Sequence, residues 1–154
     1  YFPNSQFTAK PRNIGAARIR GVEMSFSSMV GDHLRLGANY THLDSRDTGP
    51  IPYYNGNELP ARPRDDAGAF VDLFLRRWKL SYELHHIGAN YLDPANHIQV
   101  PARNIHNIAA EWRPFGNGTS ITAEARNLSD NQISDVNGFP LPGRSVFVTV
   151  GYRP

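Results

Sequence analysis

Apolar and polar residues alternate along most of this chain with a period of two, the spacing that sends successive side chains to opposite faces of an extended strand. Over residues 17–30, Val22, Met24 and Phe26 fall on one side and Gly21, Glu23, Ser25 and Ser27 on the other. A short turn at Gly31, Asp32 and His33 follows, and over 34–44 Leu34, Leu36, Ala38 and Tyr40 oppose Arg35, Gly37, Asn39 and Thr41. The third run, 66–75, sets Ala69, Val71, Leu73 and Leu75 against Phe70, Asp72 and Phe74. In the fourth, 78–91, Leu80, Tyr82 and Leu84 oppose Lys79, Ser81, Glu83 and His85. The fifth, 103–115, opposes Ile108, Ala110 and Trp112 to Asn107, Glu111 and Arg113. The sixth, 120–127, opposes Ile121, Ala123 and Ala125 to Thr122, Glu124 and Arg126, and a last strand aligns Val146, Val148, Val150 and Tyr152. No long stretch carries the 3.6-residue helical period. The pattern predicts an all-β, antiparallel, up-and-down fold of about seven strands.

The connections add a second regularity. Residues 31–33, 76–77 and 116–119 are short reversals, the last being Gly116-Asn117-Gly118-Thr119, while 45–63, 92–101 and 130–144 are long and rich in Gly, Pro and Asn. Short and long therefore alternate, as in outer-membrane barrels with short periplasmic turns and long outer loops. Residues 1–16 then read as part of another outer loop. Several runs also approach the roughly 9–11 residues that a tilted strand needs to cross hydrocarbon, against a mode of about 5–6 in soluble sheets. The expected architecture is a transmembrane β-barrel segment. It is incomplete on its own, because single-chain bacterial barrels start at about eight strands and open edges in lipid leave backbone groups unpaired.

Alternation alone does not separate a lipid-facing wall from the inner face of a soluble sandwich. Two features favour the wall. Glu23, Arg35, Asp72, Glu83, Glu111, Glu124 and Arg126 place charges of both signs at mid-strand on the polar face, where neighbours on adjacent strands can pair. Tyr40, Trp78, Tyr91, Trp112, Phe115 and Tyr152 collect toward strand ends, the places of aromatic girdles.

Composition then removes alternatives. The 154 residues include no cysteine, which excludes disulfides, Cys-based zinc sites and thiol nucleophiles. The net charge of +2 implies no polyanionic partner, so no nucleic acid. The mean hydropathy of −0.49 would read as soluble, but in a barrel wall every second side chain is polar, so the average hides the lipid-facing half. The chain begins at Tyr1 without a secretory-leader pattern, which reads as a fragment or a processed product.

Few residues form a chemical constellation. His85 and His86 are adjacent on a strand and point to opposite faces, which sets them against sharing one metal ion, with His86 toward lipid or a girdle. His33, His42, His97 and His106 lack metal-ligand spacing. Asp65-Asp66 and Asp44 with Asp47 read as solvated turn acids more readily than as calcium ligands. No G-x-S-x-G elbow occurs. The reading is of a protein that is not an enzyme and carries no catalytic residue, metal or cofactor. Arg76-Arg77 fits an anchor at a membrane interface.

Five stretches also resemble a family. Residues 17–23, Ala-Arg-Ile-Arg-Gly-Val-Glu, resemble the "A-x-x-x-G-V-E" strand of TonB-dependent outer-membrane receptors, and Leu36 to Asp44 resembles the strand that follows it. Leu59-Pro60-Ala61-Arg62-Pro63 is similar to that family's "L-P-x-R-P" approach to the next strand, and Asn127-Leu128-Ser129-Asp130 to its "N-L-x-D" strand end. Gly138 to Arg144, with the strand to Tyr152, is similar to its terminal hairpin, here extended by Arg153 and Pro154. The resemblance implies a barrel of about 22 strands with a plugged lumen, of which residues 1–154 form the C-terminal part, about the last third of the wall. The plug domain and the TonB box have no counterpart in the sequence.

It further implies a bacterial outer-membrane location and TonB-driven uptake of a scarce ligand, such as a ferric siderophore or cobalamin. The implied partners are outer-membrane lipid, the remainder of the barrel and its plug, TonB through the missing N-terminal part, and the ligand. Ligand contact then belongs to the long outer loops, where Tyr53, Tyr54, Asn55 and Asn57 offer stacking and hydrogen bonding, and Phe139 and Arg144 sit in another loop. A soluble β-sandwich binding module and, with less support, a barrel enzyme are the competing readings.

Overall fold

Hairpins between consecutive strands build one antiparallel sheet. The computed structural model describes residues 2–3, 9–10, 15–115, 118–136 and 139–153. Within them β1 Ala17–Val30, β2 Leu34–Asp47, β3 Asp65–Phe74, β4 Trp78–Ile87, β5 Arg103–Trp112, β6 Thr119–Arg126 and β7 Ser145–Tyr152 lie side by side in chain order. β1 and β7 are its two edges, so the seven strands do not close on themselves. The described residues form no helix.

Register carries the alternation across the whole sheet. Met24 lies opposite Tyr40 and Phe26 opposite Ala38. Leu36 then meets Val71, Val71 meets Tyr82, and Tyr82 meets Ile108. Ile108 pairs with Ala125 and Ala125 with Val146. A slip of one residue at any pair would turn a strand's apolar set to the other side. No such slip occurs, and one apolar face runs unbroken from β1 to β7.

Among the described residues, nothing covers that face. Val22 is 60% exposed and Val148 70%, and the buried apolar residues among those described are Leu59 and Val100, both in or beside connections. A soluble sandwich would pack Val22, Leu36, Val71, Leu84, Ile108 and Val148 into a common centre. Here they lie on one open surface far larger than the few hundred square ångströms that a soluble monomer exposes.

The polar face is self-satisfied. The Asp72 carboxylate, buried, takes the Ser81 hydroxyl at 2.6 Å and Lys79 Nζ at 3.2 Å from β4 and Arg35 Nε at 3.5 Å from β2. The Arg35 guanidinium also lies 4.9 Å from the centre of the Phe70 ring. His85 reaches across to Asp66 on the neighbouring strand, while two other pairs run along the chain. Arg113 bonds Glu111 and Arg126 bonds Glu124, each two residues away on the same face.

Strand limits differ from the expected ones for local reasons. β2 continues to Asp47 because connection 48–64 folds back on it: Asp47 N donates to Asn57 O and Leu59 N to Ser45 O. β4 stops at Ile87 instead of reaching Tyr91. The backbone of Gly88 presses on Asp65, where a Cβ would lie 2.7 Å from the carbonyl oxygen, and Asn90–Tyr91 instead pairs with Gln99–Val100 inside the connection. β5 ends at Trp112, two residues before Pro114, which has no N–H to give a ladder. Gly31, with φ of 59°, makes the β1–β2 turn in the left-handed region that glycine tolerates. In the expected turn at 116–119, Gly116 and Asn117 lie outside the described residues, as do Asn137 and Gly138 of the third long loop. Most of residues 1–16 also lie outside them, and Phe2–Pro3 pairs with Ala9–Lys10.

Candidate ligand site in the long loops

The connections 48–64, 88–102 and 127–144 emerge from one end of the sheet, and the short turns from the other. The first two are sewn together. Asn57 Nδ2 donates to Pro94 O at 2.9 Å. Glu58 N donates to Asn96 Oδ1 at 2.8 Å, and Asn96 Nδ2 returns a bond to Glu58 O at 2.9 Å. The reciprocal pair works because Asn96 adopts a φ of 57°, which asparagine accepts more readily than most residues.

Asp93 shapes the second loop from within. Its carboxylate accepts Ile98 N at 2.6 Å and His97 N and Ala95 N at 3.2 Å. Burial pushes the carboxyl upward, but the three backbone N–H donors outweigh it and hold its pKa below the ordinary value.

On this base stands an aromatic group. Tyr53 meets Tyr54 edge-on at 5.4 Å between ring centres and His97 edge-on at 6.0 Å. Its hydroxyl lies 3.0 Å from His97 Nε2 in a hydrogen bond. Tyr53 is 61% exposed, with Ile51 and Ile98 also exposed nearby in the same loops. The arrangement offers ring faces, a phenol and an imidazole to a planar ligand bearing hydroxyl or carbonyl groups.

Of the six residues singled out in the sequence, the structure unites Tyr53 and Tyr54. Asn55 and Asn57 sit beside them, but their amides are engaged internally: Asn55 Nδ2 donates to Gly49 O, and Asn57 Nδ2 to Pro94 O and Tyr53 O. Phe139, 72% exposed, and Arg144 belong to the third loop, and no described ring contact or hydrogen bond joins them to the Tyr53 group. That loop hangs on Asn127, buried at a φ of 51°, whose Nδ2 donates to Asn131 O and Pro142 O. Asp130 Oδ1 in turn accepts Arg144 N at 2.8 Å. The "N-L-x-D" stretch is thus the clasp of a loop. Nothing local in the sequence singles out His97 as a partner of the tyrosines. Its relation to Tyr53 spans 44 residues and leaves no local signature.

Most of the other acids and histidines weighed in the sequence have protein partners. His85 bonds Asp66 on the polar face and His86 bonds Asn104 on the apolar one, as strand alternation requires. Asp65 takes Tyr40 and His42, Asp47 takes Gly49 N, and Asp44 takes Arg46. Among the described residues no group of three His, Asp or Glu is placed to hold a metal ion.

Comparisons with known proteins fit this geometry. In solved structures the fold recurs in the siderophore receptor PiuA from Acinetobacter baumannii, at a TM-score of 0.81 and 22% identity. It recurs in the ferric preacinetobactin receptor BauA from Acinetobacter baumannii, at 0.74 and 24%, and in the ferric yersiniabactin uptake receptor FyuA from Yersinia pestis, at 0.72 and 20%. Each match covers 88% of this chain and 22% of the receptor, so the chain spans about a fifth of their length. A search of curated proteins gives no significant match. The profile of the family described as TonB dependent receptor-like, beta-barrel, matches residues 2–128. With its uncovered apolar face and its short turns opposed to long loops, the chain belongs to the TonB-dependent receptor β-barrel family, a family of bacterial outer-membrane receptors and not of enzymes.

Proposed function

We propose that residues 1–154 form the C-terminal part of the barrel wall of a receptor in a bacterial outer membrane, which takes up a scarce iron chelate or cobalamin-like ligand with energy delivered through TonB. The plug and the TonB-contacting box belong, in this reading, to other parts of the protein. The observation that carries the proposal is the bare apolar face, continuous over seven strands and 8 to 14 residues long on each. Such a surface is stable against acyl chains and not against water. Its polar reverse, in this reading, borders an aqueous interior, and there Asp72 is paired with Arg35 and Lys79.

The ligand is met by the sewn loops. Tyr53, Tyr54 and His97 stack on a planar chelate, while Asn55 and Asn57 hold the platform, and Phe139 and Arg144 approach from the third loop. Ring stacking of this kind is worth about 1–3 kcal/mol per aromatic. Deleting residues 53–57 from the full-length protein is expected to weaken ligand binding at least about tenfold, roughly 1.4 kcal/mol, and to leave the barrel folded. Because the deletion also removes the Asn57 anchor of the second loop, Tyr53→Ala and His97→Ala are measured beside it. Unchanged affinity and uptake in all three would refute the assignment of the site.

A further inference from the structure

The apolar face does not end abruptly at the loop side; it grades through layers. By register Tyr82 lies level with Leu36 and Val71, and Tyr40 stands two steps above them in the same row as His86; the two hydroxyls bond His106 and Asp65. His86 bonds Asn104 at 2.7 Å, and one step higher His42, level with Val22, bonds Asp65 at 2.8 Å. By register the following steps are Arg20 opposite Asp44, then Arg18 opposite Arg46. Each two-residue step along a strand tilted about 45° climbs roughly 5 Å. Arg20 and Arg18 thus stand about 5 and 10 Å beyond Val22, where hydrocarbon gives way to lipid headgroups.

This top layer has more cations than it can neutralise. Arg18, Arg46 and Arg64 surround Asp44 at 3.9, 2.8 and 3.9 Å, and Arg46 and Arg64 reach Glu58 at 3.6 and 3.8 Å. Arg20 has no ion-pair partner among the described residues and is exposed. Four guanidiniums therefore share two carboxylates. Counting Asp65, one layer lower, the four guanidiniums still leave a surplus of one positive charge. The side chains of Arg18 and Arg64 are 52% and 46% exposed, whereas Arg46 is 28% exposed and also donates to Gly56 O as a brace of the loop.

We infer that Arg18, Arg20 and Arg64 form a docking site for the phosphate of an outer-leaflet lipid headgroup. Depth, direction and charge all argue for this occupant. The guanidiniums face the same way as the lipid-contacting residues, they lie at headgroup height, and their surplus charge calls for an anion that a planar guanidinium binds with two parallel hydrogen bonds. The opposite end of the face carries a stacked pair, Trp78 and Trp112 at 5.7 Å, and no comparable cluster of ion pairs among the described residues.

The inference rests on the membrane reading above, and its test separates the two. Full-length protein is extracted in a non-ionic detergent, and its retained lipid is counted by native mass spectrometry. It is then titrated with lipid A and with dephosphorylated lipid A. The wild type is expected to keep phosphorylated lipid and to prefer the phosphorylated probe. Arg18→Gln/Arg20→Gln/Arg64→Gln is expected to bind it about tenfold more weakly, and the corresponding triple lysine variant to recover part of the loss. Folding of each variant is checked by heat-dependent electrophoretic mobility. Should the triple variant not fold, Arg20→Gln, which breaks no internal pair, is expected to weaken binding about threefold. Equal binding by wild type and glutamine variants, equal affinity for both probes, or loss of wild-type binding on chelating divalent cations would overturn the inference. A wild-type protein found in the soluble fraction would instead overturn the membrane reading itself.

Discussion

Gly37 shows how a single position constrains the wall. A Cβ there would lie 2.6 Å from the Phe70 ring and 2.8 Å from the Phe26 carbonyl oxygen. The missing side chain lets Phe70 lie flat on the polar face and receive Arg35. Gly37→Ala is therefore expected to destabilise the folded protein by about 1–3 kcal/mol, read from the midpoint of denaturant unfolding in lipid. Asp93 gives the pH counterpart. Its folded pKa is depressed, so its contribution to the loop is complete above the ordinary carboxyl value of about 3.9 and is lost as pH falls through the lower folded value. Backbone protection of Ala95, His97 and Ile98 is expected to hold from neutral pH to about 5 and to fail in strong acid. Asp93→Ala should remove it at every pH, and amide exchange measures both. None of this was readable beforehand: a glycine's neighbour across a strand and an aspartate's three amide donors depend on register and loop geometry, which local sequence does not encode.

At the scale of elements, the strand alternation was legible because a period of two survives in every strand, down to which of His85 and His86 faces which way. The ends were less so. Gly88 and Pro114 stop β4 and β5 through a close backbone approach and a missing donor, while β2 is extended by a loop that returns to it. The aromatic group was half legible: Tyr53 and Tyr54 are adjacent and conspicuous, and His97 arrives only through the Asn57 and Asn96 stitches. The two faces of an element give a sharper test than its limits. Ile108→Arg puts a charge among Tyr82 and Ala125 on the lipid side, where near mid-depth it costs about 2–4 kcal/mol. Thr122→Arg, on the reverse face opposite Glu111 and Thr149, is expected to change stability by under about 1 kcal/mol. Refolding yield into lipid vesicles should drop for the first and not the second. The opposite order would place lipid on the wrong side of the sheet.

The whole sheet raises a question its strands do not. β1 presents a full 14-residue edge and β7 an 8-residue edge, each with half its backbone N–H and C=O groups facing no neighbour. In water those groups would be hydrated, and an edge is merely a liability for pairing with other chains. In hydrocarbon each unpaired group costs several kcal/mol, so two open edges outweigh what lipid contact returns to the apolar face. The lipid that favours the apolar face thus penalises the open edges and makes the seven strands unstable there alone. Residues 1–154 expressed by themselves and refolded into detergent are expected to aggregate or associate edge to edge, without a discrete heat-sensitive folded band on electrophoresis. Joined to strands that pair with both β1 and β7, the same residues should give that band. A monodisperse, folded monomer of the isolated chain in detergent would mean that its edges are satisfied in some other way, and would remove the reason to regard closure by further strands as the condition of its stability.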